Sequence, residues 1–314
     1  MNFASHHPCW QGSDPSPYIT KADLVLIIDH DVPYIPSFHS PSPGAKVVYM
    51  DMDPVKMDIP LWTYPADMLL NGDSSKSLPT LVKMVKEKLN RKDQVKYDKK
   101  LEKLRQEHEA RIERWTRTAI DKSKEKPIEA EWLAYCINEA ADENTIFLSE
   151  TVTNSGAIHQ MVSTHQPGTF FSNGGACLGW SMGASLGAKL AAPDKTVINL
   201  IGDGGFLFGL PIATLWAAQR QNAPFLTIIF DNKTYNAPKQ TLKREYKESY
   251  SQKYDKWVGM DIDPPPDYVL IAQSCGAYGE RIEEPDQIMG SLYKALEEVR
   301  GGRSAVLDVI IKKP

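Results

Sequence analysis

The chain has 314 residues, 42% apolar and 24% charged, an ordinary globular composition long enough for about two domains of ~150 residues each. A formal net charge of -4 offers nothing to nucleic acid or to an anionic membrane surface, and the apolar runs are strand-sized, too short to span a bilayer as a helix. Four cysteines, 9, 136, 177 and 275, stand far apart with no C-x-x-C pair, which excludes a zinc cluster or a disulfide scaffold and fits a reducing compartment, the cytoplasm by default.

The first ten residues (MNFASHHPCW) are neither a basic-apolar signal peptide nor an Arg-rich transit sequence, and read like the interior of a domain. Residues 1–20, rich in Pro, Ser, His and Gly, predict a loop. Residues 22–29 (ADLVLIID) form a continuous apolar run ending in an acid, the pattern of a buried parallel strand, and 45–51 (AKVVYMD) repeat it. Apolar residues at Leu81, Val82, Val85 and Leu89 predict a helix over 78–89. Two strands and a helix make a thin core, so residues 1–90 are expected to be part of an α/β domain. Residues 91–126 are dense in charges of mixed sign, with Tyr97, Leu101, Leu104, His108, Ile112 and Trp115 along one helical stripe. A solvated linker helix packed on one face accounts for them better than a nucleic-acid surface, because Glu and Asp alternate with Lys and Arg.

From residue 127 strands alternate with helices: a helix at 129–140, strands at 145–149 (TIFLS) and 196–201 (TVINLI), a helix at 210–221, and a strand at 225–230 (FLTIIF). Helices at 268–275 and 285–300 and a strand at 304–310 complete the chain. This alternation predicts an α/β fold, a doubly wound parallel sheet covered on both faces. No repeat of solenoid period is visible.

Gly202-Asp203-Gly204-Gly205 directly follows TVINLI. In a doubly wound sheet ligands bind at the carboxyl ends of the strands, so Asp203 leaves its strand at the functional edge, between glycines that let backbone N–H groups approach an anion. By itself the motif is an ordinary Asp-Gly turn. The next strand ends Phe230-Asp231-Asn232-Lys233-Thr234, placing Asn232 29 positions after Asp203, one βαβ unit later and in the same crevice. A carboxylate, an amide oxygen and a nearby backbone carbonyl are hard ligands that suit magnesium bridging to a diphosphate.

G-D-G, 26 residues (205–230), then an Asp-Asn pair resembles the signature of thiamine-diphosphate enzymes such as acetolactate synthase, benzoylformate decarboxylase and pyruvate decarboxylase. Asp231 departs from that pattern, standing where the family usually has the first of two asparagines. The resemblance implies thiamine diphosphate and Mg2+ as cofactors, with Asp203, Asn232 and the Thr234 carbonyl on the metal. It makes Gly202, Gly204, Gly205 and Tyr235 cofactor-binding positions beside them. Residues 170–187 (FFSNGGACLGWSMGASLG) resemble the segment packing on the thiazolium ring, implying an Ala176 carbonyl on the aminopyrimidine and Leu178 as the apolar wedge. Glycines 179, 183 and 187 recur every four residues, one face of a helix explained by packing alone. Residues 149–154 (SETVTN) resemble the family's diphosphate turn and add Glu150, Val152 and Thr153, although a helix N-cap at Thr153 or Asn154 is an equally natural reading.

The resemblance spans nearly the whole chain: 1–90 as part of a central domain, 91–126 as a linker, 127–314 as the diphosphate-binding domain. The family's amino-terminal domain, whose glutamate engages the aminopyrimidine, has no counterpart, so no residue here takes that catalytic role. The resemblance therefore implies a fragment of a larger enzyme or a subunit of a split one, working on a pyruvate-like 2-keto acid as a homo-oligomer or with a pyrimidine-domain chain. The other implied reading is a non-catalytic thiamine-fold protein. Flavin, carried by some relatives, has no supporting motif. Asn236-Ala237-Pro238 stands where the pyruvate-decarboxylase subgroup has an acid, which argues towards carboligation, and the polar 239–256 segment reads as a mobile flap. His159 reads first as a packing residue. A nicotinamide-binding or Walker A reading fails, since neither G-x-G-x-x-G nor the Walker spacing is present.

Overall fold

The structure, a computed structural model, describes residues 3–59, 64–164, 166–175 and 177–313. Two compact units divide it: residues 11–107, and the residues up to Trp10 together with those from His108 onward. No helix among the described residues is long and apolar enough to cross a membrane.

The unit of residues 11–107 opens with a short helix α1 (Ser16–Ile19) and holds three parallel strands, β1 (Leu24–Ile28), β2 (Lys46–Asp51) and β3 (Met68–Asn71), in that order. Helix α2 (Ser74–Lys88) follows, its first turn closed by the Asp73 carboxylate, which accepts from the Ser75 N–H at 2.9 Å. The core is small, made of Ile19, Ile27, Tyr34, Val47 and Tyr49. Strand β3 is exposed along its length and α2 buries nothing. The run at 22–29 is thus a strand, but not the doubly buried one its composition predicts: Leu24 is 57% exposed.

Helix α3 (Arg91–Asp121) occupies most of the expected linker, and the two units divide within it, between Glu107 and His108. Its stripe divides in the same way. His108 and Ala119 are buried, whereas Tyr97 and Leu101 are exposed. Trp10 explains why the residues before it join the second unit rather than the first domain, where the sequence puts them. Its ring meets His108 and Trp115 edge-on at 6.1 and 6.0 Å, and its carbonyl accepts from Arg111 Nη2 at 3.1 Å.

The larger unit continues with α4 (Ala130–Ala140), β4 (Thr145–Glu150), a 3-10 turn (Val152–Asn154), α5 (Ser155–Met161), β5 (Phe170–Ser172) and α6 (Trp180–Ala191). Then come β6 (Thr196–Gly202), α7 (Asp203–Phe208), α8 (Pro211–Arg220), β7 (Leu226–Asp231), α9 (Asn236–Glu245) and α10 (Tyr250–Tyr254). It closes with α11 (Tyr268–Ser274), β8 (Tyr278–Ile282), α12 (Ile288–Arg300) and β9 (Ala305–Ile310). The six strands are all parallel in the order β5-β4-β6-β7-β9-β8. Strand alternation divides the core as a doubly wound fold requires. Ile198 and Leu200 of β6 face α4, α5 and α12, while Val197 and Ile201 face α6, α7, α8 and α11. Fully buried side chains of this size each contribute about 1.5–3 kcal/mol.

Candidate functional site

The chain leaves β4 for the edge strand β5, then returns to the other side of β4 to form β6. The order therefore reverses between β4 and β6, and a crevice at their carboxyl ends is the binding place this topology offers. A cleft of about 60 Å3 lies there. Glu150 ends β4, Gly202 ends β6 with Asp203 directly after it, and Asn232 and Thr234 follow β7.

Each wall has a local cause. The Asp203 Oδ1 accepts from the Gly204 N–H at 2.8 Å and so starts α7 inside the cleft. An added Cβ on Gly204 would fall 2.4 Å from the Tyr235 ring, and one on Gly205 would fall 2.9 Å from Glu150 Oε1, so only glycine fits at either position. The Asn232 Oδ1 accepts from the Thr234 N–H at 3.0 Å, an Asx turn at the cleft wall, and the Thr234 carbonyl accepts from the Asn236 N–H at 2.9 Å. Met260 fixes this turn from outside, its carbonyl accepting from the Tyr235 N–H at 2.7 Å and from the Thr234 hydroxyl at 2.9 Å. Val152 sits at φ 43°, a conformation that costs a β-branched residue of order 1–3 kcal/mol, on the lip of the cleft.

The electrostatics are dominated by acids buried side by side. Asp203 is 3% exposed and Asp231 is fully buried; Asp231 Oδ1 accepts from the Lys233 N–H at 2.9 Å, yet Oδ2 of each has no partner. Burial pushes the Asp203 carboxyl up to about 7, and the facing Asp231 carboxylate adds to the rise against the Gly204 N–H. Asp308 is likewise raised by burial, to about 6, despite its 2.8 Å bond from Arg281 Nε. Among the described residues no group of three or more His, Cys, Asp or Glu is placed to hold a metal ion. A cation here must therefore draw on amide, carbonyl, phosphate or water oxygens as well. The unpartnered Asp203 Oδ2, with Asn232 and Thr234 beside it, fits a hard divalent cation of that kind.

A second cavity of about 240 Å3 shares Glu150, Thr151, Val152 and Leu178 with the cleft and extends to His159, Asn173 and Cys177. His159 packs against Phe170 at 5.8 Å, and burial lowers its pKa, favouring the neutral ring.

Of the twelve site residues expected from the sequence, Ala176 lies outside the described residues and the other eleven line the one cleft. Glu150 has a further commitment. Its carboxylate accepts from the N–H groups of Gly179 and Ser181, the latter at 2.7 Å, so it caps α6 across the sheet as well as forming a wall. Gly179 itself is at φ 92° against the Phe208 backbone, which gives it a conformational reason beyond the packing stripe. Thr151, Asn154, Asn236, Ala237 and Pro238 also line the cleft. Thr151 and Asn154 lie within the SETVTN turn, and the other three follow Tyr235 directly, so adjacency was the available signal.

Comparison with known proteins gives the same picture. The chain is 25% identical over 296 residues to a probable acetolactate synthase large subunit of Methanococcus aeolicus, covering 91% of this chain and 47% of that protein. It is 26% identical over 304 residues to the benzoylformate decarboxylase of Pseudomonas aeruginosa, covering 94% and 51%. Its fold matches the thiamine diphosphate-dependent 4-hydroxybenzoylformate decarboxylase of Rhodococcus jostii RHA1 with a TM-score of 0.74 at 20% identity, over 99% of this chain and 54% of that one. The chain thus spans about half the length of the relatives it matches. The family model for the C-terminal TPP-binding domain of thiamine pyrophosphate enzymes matches residues 151–309, about half of the chain and every cleft residue except Glu150. On that match, and on a cleft built where the motif predicts one, this chain belongs to the thiamine pyrophosphate enzyme family.

Proposed function

We propose that the chain supplies the magnesium- and diphosphate-binding part of an enzyme that acts on 2-keto acids with thiamine diphosphate. The observation that carries the metal assignment is the unpartnered, buried Asp203 Oδ2 in a cleft whose other oxygens come from Asn232 and Thr234. Asp203, Asn232 and the Thr234 carbonyl would hold Mg2+ against the diphosphate. Gly202, Gly204, Gly205, Val152 and Thr153 would surround the phosphates, and Tyr235 would close the cleft over Gly204. Leu178 borders both cavities, which supports placing the rings of the cofactor along it, towards His159 and Cys177. When bound, thiamine diphosphate supplies the electron sink for loss of carbon dioxide from a 2-keto acid.

Neutral Asn236, Ala237 and Pro238 at the rim favour carboligation of the acetolactate-synthase type over simple aldehyde release. The glutamate that engages the aminopyrimidine would come from a further domain, in the same polypeptide or in an assembled partner. A second reading is a cofactor-binding protein without catalysis of its own. Titration calorimetry with thiamine diphosphate tests the proposal. Binding should require Mg2+ and should vanish in Asp203→Ala; binding that is indifferent to both refutes it. Adding a pyrimidine-binding domain from a relative then separates the readings, since activity on pyruvate appears under the first alone.

A further inference from the structure

Strand β1 is composed for the middle of a sheet and stands at its edge. Leu24 to Ile28 are apolar without a break, which suits a parallel strand covered on both faces, yet β1 pairs with β2 alone. The ladder fixes which backbone groups are left over. The Lys46 N–H donates to the Asp23 carbonyl and the Asp29 N–H to the Met50 carbonyl, with Leu24 in register with Lys46 and Ile28 with Met50. Val25 and Ile27 therefore bond towards β2, while the N–H and C=O groups of Leu24, Leu26 and Ile28 point away from it. Among the described residues these outward groups have no hydrogen-bond partner. They border a groove of about 530 Å3 lined by every residue of β1 and by none of β2, with Tyr18 and Ile19 of α1 on its wall. The sheet face turned away from the small core is bare as well. Leu24, Leu26, Met68 and Leu70 share it by register and are 57, 39, 53 and 38% exposed; only Met50 of these strands is buried there. Helix α2 does not cover it, since its own Val82 and Val85 are exposed.

An apolar edge with a row of unpaired N–H and C=O groups is a template for one more strand. Its occupant has two tasks, to pair with β1 and to cover the bare face beside it. A second copy of this chain does only the first. Pairing β1 with β1 about a two-fold axis perpendicular to the sheet leaves the bare faces of both copies on the same open side. A strand that leads into a helix, the repeating piece of a parallel sheet, does both, because the helix lies over the face that the strand adjoins. The relatives have polypeptide to supply it. The Rhodococcus jostii enzyme shares its fold with 99% of this chain, and nearly half of that protein lies outside the match. We propose that the free edge of β1 is the docking site for a parallel strand, with its helix, from the polypeptide that lies outside the matched half of such relatives. The site belongs to residues 11–107 alone and is independent of the cofactor.

The test co-expresses the full chain with the unmatched portion of the Rhodococcus jostii enzyme, a probe qualified by recapturing that enzyme's own matched half. Hydrogen exchange is then followed by mass spectrometry at single amides. Expected is a one-to-one complex in which the Leu24, Leu26 and Ile28 amides exchange at least tenfold more slowly than in the chain alone. Leu26→Pro removes one outward donor that only an added strand would use, and leaves the bonds between β1 and β2 in place. It should weaken the complex at least tenfold while the amides of β2 keep their rates. Leu26→Lys keeps the donor but puts a charge on the bare face, and should weaken the complex by a similar factor whether or not the proline variant folds. Absence of a complex overturns the inference, as does a complex in which the three amides keep their free rates or one that both variants form unchanged. A dimer of the chain alone that protects the same amides makes a second copy the occupant and overturns it too. Loss of thiamine diphosphate binding would refute the function proposed above and leave this result standing.

Discussion

At Asp203, burial raises the carboxyl from 3.8 to about 7, with Asp231 adding to the rise, so the native chain without cofactor holds a proton that the unfolded chain has released. The linkage sign follows: this group's contribution to stability is complete below about pH 4 and is lost as pH rises through about 7. Asp203→Asn abolishes that loss, so its stability relative to wild type should increase between pH 4 and pH 8, by on the order of 3 kcal/mol. Urea unfolding of the two proteins across that range is the check, and Mg2+ with thiamine diphosphate should remove the difference at pH 8. Gly204→Ala acts by volume rather than charge. A methyl 2.4 Å from the Tyr235 ring must displace the ring or the Asp203 turn, so cofactor affinity should fall at least tenfold at a stability cost of about 1–3 kcal/mol. The same residues show what single positions can reveal in a sequence. Gly202 to Gly205 and Asn232 were legible because a motif at fixed spacing follows two clear strands. The capping of α6 by Glu150 was not, because Gly179 and Ser181 lie about thirty residues on, beyond any local pattern. Asp231 was visible as a departure, but its unpartnered oxygen exists only in the folded sheet.

Among the elements, legibility tracked length and apolar density. Strands β4, β6, β7 and β9, each of six or seven residues, were readable as apolar runs. Strands β3, β5 and β8 have three to five residues, too few to show a period, and β8 carries Glu280 and Arg281. Helix α7 escaped because two of its six residues are glycine, the poorest helix formers after proline; its start comes from the Asp203 turn rather than from propensity. The polar 239–256 segment, read as a flap, holds most of α9 and all of α10. Trp257 is buried, with Lys239 and Lys243 ammonium groups 5.1 and 5.4 Å from its ring, and Met260 ties the returning chain to Thr234 and Tyr235. Such cation–π contacts are worth about 0.5–2 kcal/mol each, and the indole burial adds more. Trp257→Ala should therefore loosen α9 from its base without unfolding the sheet. Tryptic cleavage after Lys239 and Lys243 should accelerate at least tenfold while the thermal transition of the chain moves by only a few degrees; unchanged cleavage would show that α9 is held from elsewhere.

Over the whole molecule, the two units differ in how much core they have. The six-stranded unit has two apolar layers, one on each face of its sheet. Among the described residues, the unit of residues 11–107 has five buried side chains in its cluster and an exposed strand and helix. Stability is therefore expected to be uneven, with β1 to β3 opening at lower free energy than the site-bearing sheet. The sequence anticipated this thin core from its element count but placed the residues before 11 with the thin unit. A loop rich in Pro, His and Ser carries no periodicity that names its packing partner, and the partner surface, His108 and Trp115, is almost a hundred residues away. Trp10 supplies a test that tells the two assignments apart. Its indole is 8% exposed and meets His108 and Trp115 edge-on, so Trp10→Ala leaves a void and frees Arg111 and His108 from a carbonyl that the altered loop no longer holds in place. Truncations of this kind cost about 3–5 kcal/mol in a packed site. Hydrogen exchange read by mass spectrometry should show that loss as faster exchange in α3 from His108 onward, spreading to the six-stranded sheet under mild denaturant. Peptides from β1, β2 and β3 should keep their rates. Faster exchange confined to those three strands would instead assign Trp10 to the smaller unit.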